Sequence, residues 1–109
     1  MELLVTYHLK KESAEEFLRK LGEIGIPGLV RGERGCIRYD YYVPAEENGT
    51  LLLLEEWESA EFQALHLEQS HMKRLAQIKP DYVAHTEVMV IRQRLSDGRG
   101  RFRTGSDGR

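Results

Sequence analysis

The sequence has few of the features that mark disulfide scaffolds, metal clusters or membrane spans. Its one cysteine, Cys36, cannot form an intrachain disulfide and offers no set of thiolate ligands. No apolar run approaches the roughly 18 residues of a membrane-spanning helix, and the segment from Met1 to Val5 lacks the basic stretch and cleavage site of a signal peptide. We therefore expect a cytoplasmic protein without a membrane partner, in which Cys36 packs as a small apolar side chain.

Clustered positive charge is also missing from most of the chain. The formal net charge is −2, but residues 92–109 carry six arginines and two aspartates, a net +4, which leaves −6 on residues 1–91. Nucleic-acid binding needs lysines and arginines grouped against the phosphates. The acidic body therefore argues against nucleic acid as a partner, although the basic tail alone could contact RNA.

Length and composition predict one folded domain followed by a tail. The chain has 109 residues, 40% of them hydrophobic and 31% charged, which is enough apolar material for one core and too little length for two. We place the domain at residues 1–93. Residues 94–109 are rich in glycine and arginine, and this composition predicts a flexible tail.

The apolar pattern predicts four strands and two helical regions in the order β-α-β-β-α-β. The strands are expected at about residues 3–9, 36–43, 50–58 and 83–93. The first helical region should start near Ala14, behind a capping box formed by Ser13 and Glu16, and should kink or restart near Pro27. The second should start at Ser59, with Ser70 as a candidate cap of a further short helix.

This element order is typical of ferredoxin-like α+β folds, in which an antiparallel sheet carries both helical regions on one face. Leu51–Leu54 and Val88–Ile91 are apolar at successive positions, so both faces of their strands need protection from water. One chain has helices for only one face. We therefore predict a homodimer formed by sheet-to-sheet packing, since the alternative, a monomer whose own tail covers the sheet, relies on a segment that is very polar.

Several short segments together resemble the antibiotic biosynthesis monooxygenase domain family. The resemblance covers about residues 1–93 and is carried by Gly35-Cys36-Ile37-Arg38-Tyr39, Leu54-Glu55-Glu56-Trp57, His66 and Ser70-His71. It implies a dimeric α+β barrel with a pocket between the sheet and the helices of each subunit. Members of the family include quinol oxygenases that work without a bound metal or flavin, so the resemblance implies no cofactor.

His66 and His71 are the candidate catalytic residues. An imidazole takes up and releases protons near neutral pH, which suits the deprotonation of a phenol or quinol. The alternative is that His66 fills a half-buried helix face and that His71 is exposed at the Ser70 turn. As a metal pair they are poor, because five residues on a continuous helix turn two side chains about 140° apart.

Trp57, Tyr39 and His8 are the candidate substrate-binding residues. The indole of Trp57 could stack on an aromatic substrate and donate its N–H to an oxygen, although a tryptophan at the end of a strand more often packs in the core. A neighbouring carboxylate, Glu55 or Glu56, could orient a histidine or form an ion pair with an arginine.

Three functions remain open at this point. The first is a cofactor-independent monooxygenase that acts on a small phenolic or quinol compound with dioxygen. The second is an isomerase of a small, phosphorylated or plain carbonyl compound, for which Arg38, Lys73 or Arg74 could bind the phosphate. The third is a non-catalytic dimeric ligand-binding domain. Haem breakdown is disfavoured, because Thr6 stands where the haem-degrading branch of the family has an asparagine on its first strand.

Overall fold

The computed structural model describes residues 1–11 and 14–93, which form four strands and four α-helices. Their order confirms the β-α-β-β-α-β prediction, with each helical region split in two. The elements are β1 (Glu2–Leu9), α1 (Ala14–Glu23), α2 (Ile26–Arg31), β2 (Cys36–Tyr42), β3 (Thr50–Trp57), α3 (Ala60–Leu67), α4 (Ser70–Ile78), a 3-10 turn (Lys79–Asp81) and β4 (Val83–Arg92).

The four strands form one sheet in the order β2-β3-β1-β4, and each neighbouring pair is antiparallel. The predicted ferredoxin-like α+β class is therefore confirmed. The core lies between this sheet and the helices. It joins alternate residues of the two central strands to residues of α1, α2 and α4, and its fully buried members include Phe17, Leu21, Val30, Leu51 and Leu53.

Backbone chemistry explains where the helices break. Gly25 adopts a left-handed conformation, with φ 78°, between α1 and α2, and Pro27 lies in the first turn of α2, so the predicted restart near Pro27 is confirmed. The Ser59 side chain caps α3 by accepting a hydrogen bond from the Phe62 amide at 3.3 Å. The candidate cap Ser70 is wrong, because Gln69 precedes α4 and Ser70 is its first helical residue. Ser13, the predicted cap of α1, lies outside the described residues.

The second face of the sheet carries no helices, as predicted from the order of the elements. Leu52 and Leu54 of β3 are only half-buried there, whereas Leu51 and Leu53 are fully buried against the helices. One expectation needs correction: the helices do not cover either face of β4 beyond Val83. All of Val88, Met89, Val90 and Ile91 are 49–61% exposed. The helices lie towards the other side of the sheet, where α2 packs against β2 and α3 against β3, and β4 is the edge strand furthest from them.

Within residues 1–11 and 14–93, none of the helices is both long enough and apolar enough to span a membrane. The predicted tail, residues 94–109, falls outside the described residues.

Candidate active site

One half-buried carboxylate, that of Glu33, joins the two histidines that the sequence singled out. Glu33 lies in the turn between α2 and β2, and its two oxygens are 3.1 and 3.0 Å from Nδ1 of His66. The second oxygen is also 2.5 Å from Nε2 of His71. The side chains become steadily less accessible along this path, from 14% exposure at His71 to 10% at Glu33 and 1% at His66. The three residues form a continuous hydrogen-bonded path from the surface into the core.

The contacts of Glu33 fix how His66 can act. Each hydrogen bond that the described residues make to this ring reaches Nδ1. A carboxylate that accepts from Nδ1–H holds the imidazole in the tautomer whose Nε2 carries the free lone pair. Nε2 is therefore the atom of His66 that could take a proton from a bound molecule.

Aromatic rings and a second carboxylate surround His66. The imidazole lies 4.6 Å from the Trp57 ring and 5.9 Å from the Tyr39 ring, measured between centroids. The indole Nε1–H of Trp57 donates to Glu55 at 3.0 Å. Glu55 is only 7% exposed, and this burial raises the pKa of its carboxyl, an effect that the Trp57 hydrogen bond and nearby His66 partly oppose.

Three tyrosines on the same side of the sheet remain protonated. Burial raises the pKa of Tyr7 and of Tyr39 far above the usual phenol value, and raises the pKa of Tyr41 to about 12. The hydroxyl oxygens of Tyr39 and Tyr41 are buried and make no well-formed hydrogen bond to any residue described, although the two phenols lie close enough to influence each other's pKa. Buried polar groups are rarely left without partners. These two phenols are thus neutral donors available to a water or ligand oxygen, and they cannot act as bases.

A surface pocket of about 310 Å³ opens beside this cluster, lined by Glu33, Arg34, Phe62, Leu65 and Gln69. Its wall depends on Gly35, which adopts φ +85° and lies directly against the Phe62 ring. The guanidinium of Arg34 lies 5.7 Å from the centre of that ring. The pocket therefore gives Glu33 an outlet to solvent, while His66 and Trp57 lie deeper in the core.

Four of the five predicted site residues lie together and one does not. His66, His71, Trp57 and Tyr39 all belong to the cluster around Glu33. His8 is excluded from it, because β1 buries Leu3, Val5 and Tyr7 against the helices, which turns His8 to the opposite face. There it contacts His85 and Glu87 of β4.

Two details of the site were not anticipated. Glu33 was missed altogether. The predicted 140° separation of the two histidines does not apply, because they do not lie on one continuous helix: α3 ends at Leu67 and α4 begins at Ser70. Glu55 and Glu56 were the carboxylates predicted to orient a histidine. Glu55 instead accepts a hydrogen bond from Trp57, and the carboxylate that contacts both histidines is Glu33. Burial raises the pKa of the Cys36 thiol, which is consistent with its predicted packing role.

The fold and the histidine–carboxylate cluster define a small α+β domain, and sequence comparison places it in a family. The model of the antibiotic biosynthesis monooxygenase family matches residues 1–78, so the chain belongs to this family, as the resemblance indicated. Among curated proteins there is no significant match.

Solved structures with the same fold are distant in sequence. A conserved protein from Methanosarcina mazei Go1 is 24% identical, with 85% of this chain and 91% of that chain covered and a TM-score of 0.71. A Nitrosomonas europaea protein proposed to be an antibiotic biosynthesis monooxygenase is 20% identical, with 82% and 94% covered and a TM-score of 0.70. At this identity the likeness establishes the fold alone.

Proposed function

We propose that this domain is a cofactor-independent monooxygenase that oxidises a small phenol or quinol with dioxygen, with His66 as the base. The observation that carries the proposal is the Glu33–His66 pair, in which a half-buried carboxylate holds Nδ1 of the buried imidazole and leaves Nε2 free. An imidazole oriented in this way is a general base. Membership of the monooxygenase family supports the reaction class.

The neighbours of His66 fit an aromatic substrate that gains negative charge. The rings of Trp57 and Tyr39 offer apolar faces against which a phenol can stack. The unpartnered hydroxyls of Tyr39 and Tyr41 could donate to the substrate oxygen. Neutral donors in a buried site stabilise a developing phenolate more strongly than they would in water.

The proposed reaction balances without a further reductant. Nε2 of His66 removes the phenolic proton, and the phenolate passes one electron to dioxygen. The phenoxyl radical and superoxide then combine, forming a C–O bond at a ring carbon. The resulting peroxide anion takes up the proton from His66 and becomes a hydroperoxide. The hydrogen on the same ring carbon then leaves as a proton and the O–O bond breaks, so that the departing hydroxide and this proton form water and a ketone remains at that carbon. One phenol and one dioxygen thus become one quinone and one water.

Replacement of His66 by alanine should reduce oxygen consumption with a panel of phenols and hydroquinones by about 10²–10⁴-fold, the range expected for a lost general base. Because His66 is fully buried, its removal could disturb the core, so Glu33→Gln is the companion variant. This change keeps the size of the side chain and removes its charge, and we expect a smaller loss of rate together with an altered pH–rate profile. An oxygen electrode and thermal melts of each variant provide the measurements.

Glu68→Gln, an exposed carboxylate just after α3, is the matched control and should leave the rate unchanged. Oxygen uptake that persists in folded His66→Ala protein would contradict the assignment of the base. Substrate consumption that is equally fast without oxygen would instead indicate the isomerase. No observation favours that alternative, because Arg38, Lys73 and Arg74 are all exposed side chains.

A non-catalytic ligand-binding domain is the second candidate, and one observation favours it. Trp57 and His66 are 0% and 1% exposed and neither lines the 310 Å³ pocket, so a substrate must displace core side chains to reach Nε2. Titration of the phenol panel separates the two candidates. Quenching of Trp57 fluorescence without oxygen uptake would indicate binding alone.

We also propose that two copies associate through the open face of the sheet. Met89 is 60% exposed on this face, opposite the half-buried Leu4 of β1, and burial of such apolar side chains drives association. Met89→Lys should therefore convert a dimer into monomers in sedimentation velocity experiments. Leu67→Lys, an apolar-to-charged change at a 57% exposed position on α3, is the control. A monomeric wild-type protein would contradict the proposed association.

A further inference from the structure

A second group of histidine and carboxylate side chains lies on the sheet face opposite the helices. His8 of β1 and His85 of β4 are directly paired across the antiparallel ladder. Glu87, two residues further along β4, projects from the same face. None of these residues belongs to the cluster around Glu33, and the proposed oxygenation uses none of them.

The three side chains already converge. The imidazoles of His8 and His85 are stacked, with centroids 4.1 Å apart and planes inclined by 10°. Nε2 of His8 lies 2.8 Å from a carboxylate oxygen of Glu87. One donor atom from each residue can be chosen so that all three lie within 4.8 Å of one another.

This arrangement has the donor chemistry of a transition-metal site. Two imidazole nitrogens and one carboxylate oxygen are ligands that zinc accepts, with bonds of about 2.0–2.2 Å. Tetrahedral bonds of that length place two ligand atoms about 3.3 Å apart. The most widely separated donors would therefore need to approach by up to about 1.5 Å, whereas His8 Nε2 and the Glu87 oxygen, now 2.8 Å apart, would move slightly apart. The two imidazoles, now nearly parallel, must also turn out of the stack so that their in-plane lone pairs meet at one point. His85 and Glu87 are exposed and His8 is half-buried, so these side chains have room to rotate while the paired strands hold their backbones in place.

We propose that His8, His85 and Glu87 bind one Zn²⁺ ion per chain on the open face of the sheet, with the fourth coordination position available to water or another small ligand. The ion would replace the hydrogen bond between His8 and Glu87. It would bind one nitrogen of each neutral imidazole. Since the open face is also the proposed dimer surface, the test uses the oligomer as purified.

The experiment is competition for Zn²⁺ between the metal-free full chain and a chromophoric chelator, followed by Co²⁺ substitution. We expect one ion per chain, Co²⁺ absorption bands of tetrahedral intensity, and affinity that falls by at least about tenfold in His85→Ala. His71→Ala is the matched control and should bind as the wild type does. The site is refuted if the full chain binds no Zn²⁺, if His85→Ala binds as tightly as the wild type, or if His71→Ala is the variant that loses the ion.

Discussion

Replacing Gly35 with alanine is expected to destabilise the domain by about 2–5 kcal/mol, a large part of the stability of a small protein. Two effects add. Gly35 has φ +85°, a left-handed conformation that costs a residue with a Cβ about 1–2 kcal/mol. The new methyl would also lie 2.6 and 2.7 Å from Cβ and Cδ1 of Phe62, and closer still to Cγ, and such overpacking typically costs about 1–3 kcal/mol.

Gly49 provides the matched control for this prediction. It has a similar φ, +79°, but nothing lies within 4 Å of the position that its Cβ would occupy. Gly49→Ala should therefore cost only the conformational part, about 1–2 kcal/mol. Urea unfolding followed by Trp57 fluorescence measures both variants. Phe62→Ala removes the Cγ and Cδ1 contacts but keeps Cβ, so it should reduce the cost of Gly35→Ala only in part. Equal costs in the two backgrounds would show that the contact with the ring is unimportant.

The fold could be predicted from the sequence because its main signals are local. Alternating apolar residues mark β1, and Pro27 and Gly25 mark the helix break. The exposure of Val88 and Val90 is different. These two valines point to the same face of β4 as the buried residues of β1, so the sequence pattern suits a strand covered by helices. Whether helices cover it depends on how far they extend across the sheet, and β4 lies at the edge of the sheet. Strand order is a non-local property that an apolar run does not encode.

The site could be predicted only in part, for a related reason. His66 and Trp57 were found because an imidazole and an indole are chemically distinctive wherever they occur. Glu33 is one of many acidic residues in the sequence and lies 33 residues before the His66 ring that it contacts. Its place two residues before the Gly35-Cys36 segment was the available signal. Only the three-dimensional path from α2 into β2 distinguishes it from the exposed carboxylates.

Trp57 is the second position where we expect a large effect, and two substitutions separate its roles. Trp57→Ala should cost about 3–5 kcal/mol, the usual result of emptying a large buried aromatic site. Trp57→Phe keeps much of the ring but removes the Nε1–H that donates to Glu55 at 3.0 Å. Loss of a hydrogen bond to a charged group costs about 1.5–3 kcal/mol. We therefore expect Trp57→Phe to destabilise the protein substantially, although phenylalanine keeps an aromatic ring at this position.

The cost of Trp57→Phe should also depend on pH. Burial raises the pKa of Glu55, whereas the Trp57 N–H lowers it, so the folded wild-type protein holds a proton here at pH values where the unfolded chain has lost it. Stability therefore falls as pH rises from the ordinary carboxyl range through the raised pKa. Without the N–H the pKa of Glu55 rises further, and the fall becomes larger. Trp57→Phe should consequently be more damaging at neutral pH than at acidic pH.

Glu55→Gln removes the titrating group while its amide oxygen can still accept from Trp57. Relative to the wild type, this variant should become more stable as pH rises, and in its background the pH dependence of the Trp57→Phe cost should disappear. Glu56→Gln, the same change on the other face of β3, is the matched control. Denaturant unfolding at a series of pH values measures all of these differences. A Trp57→Phe cost that is the same at acidic and neutral pH would mean that the indole N–H does not stabilise the ionised form of Glu55. If the expected pH dependence is found, the fold retains at neutral pH a buried carboxylate that reduces its stability, which is the cost that functional sites characteristically impose.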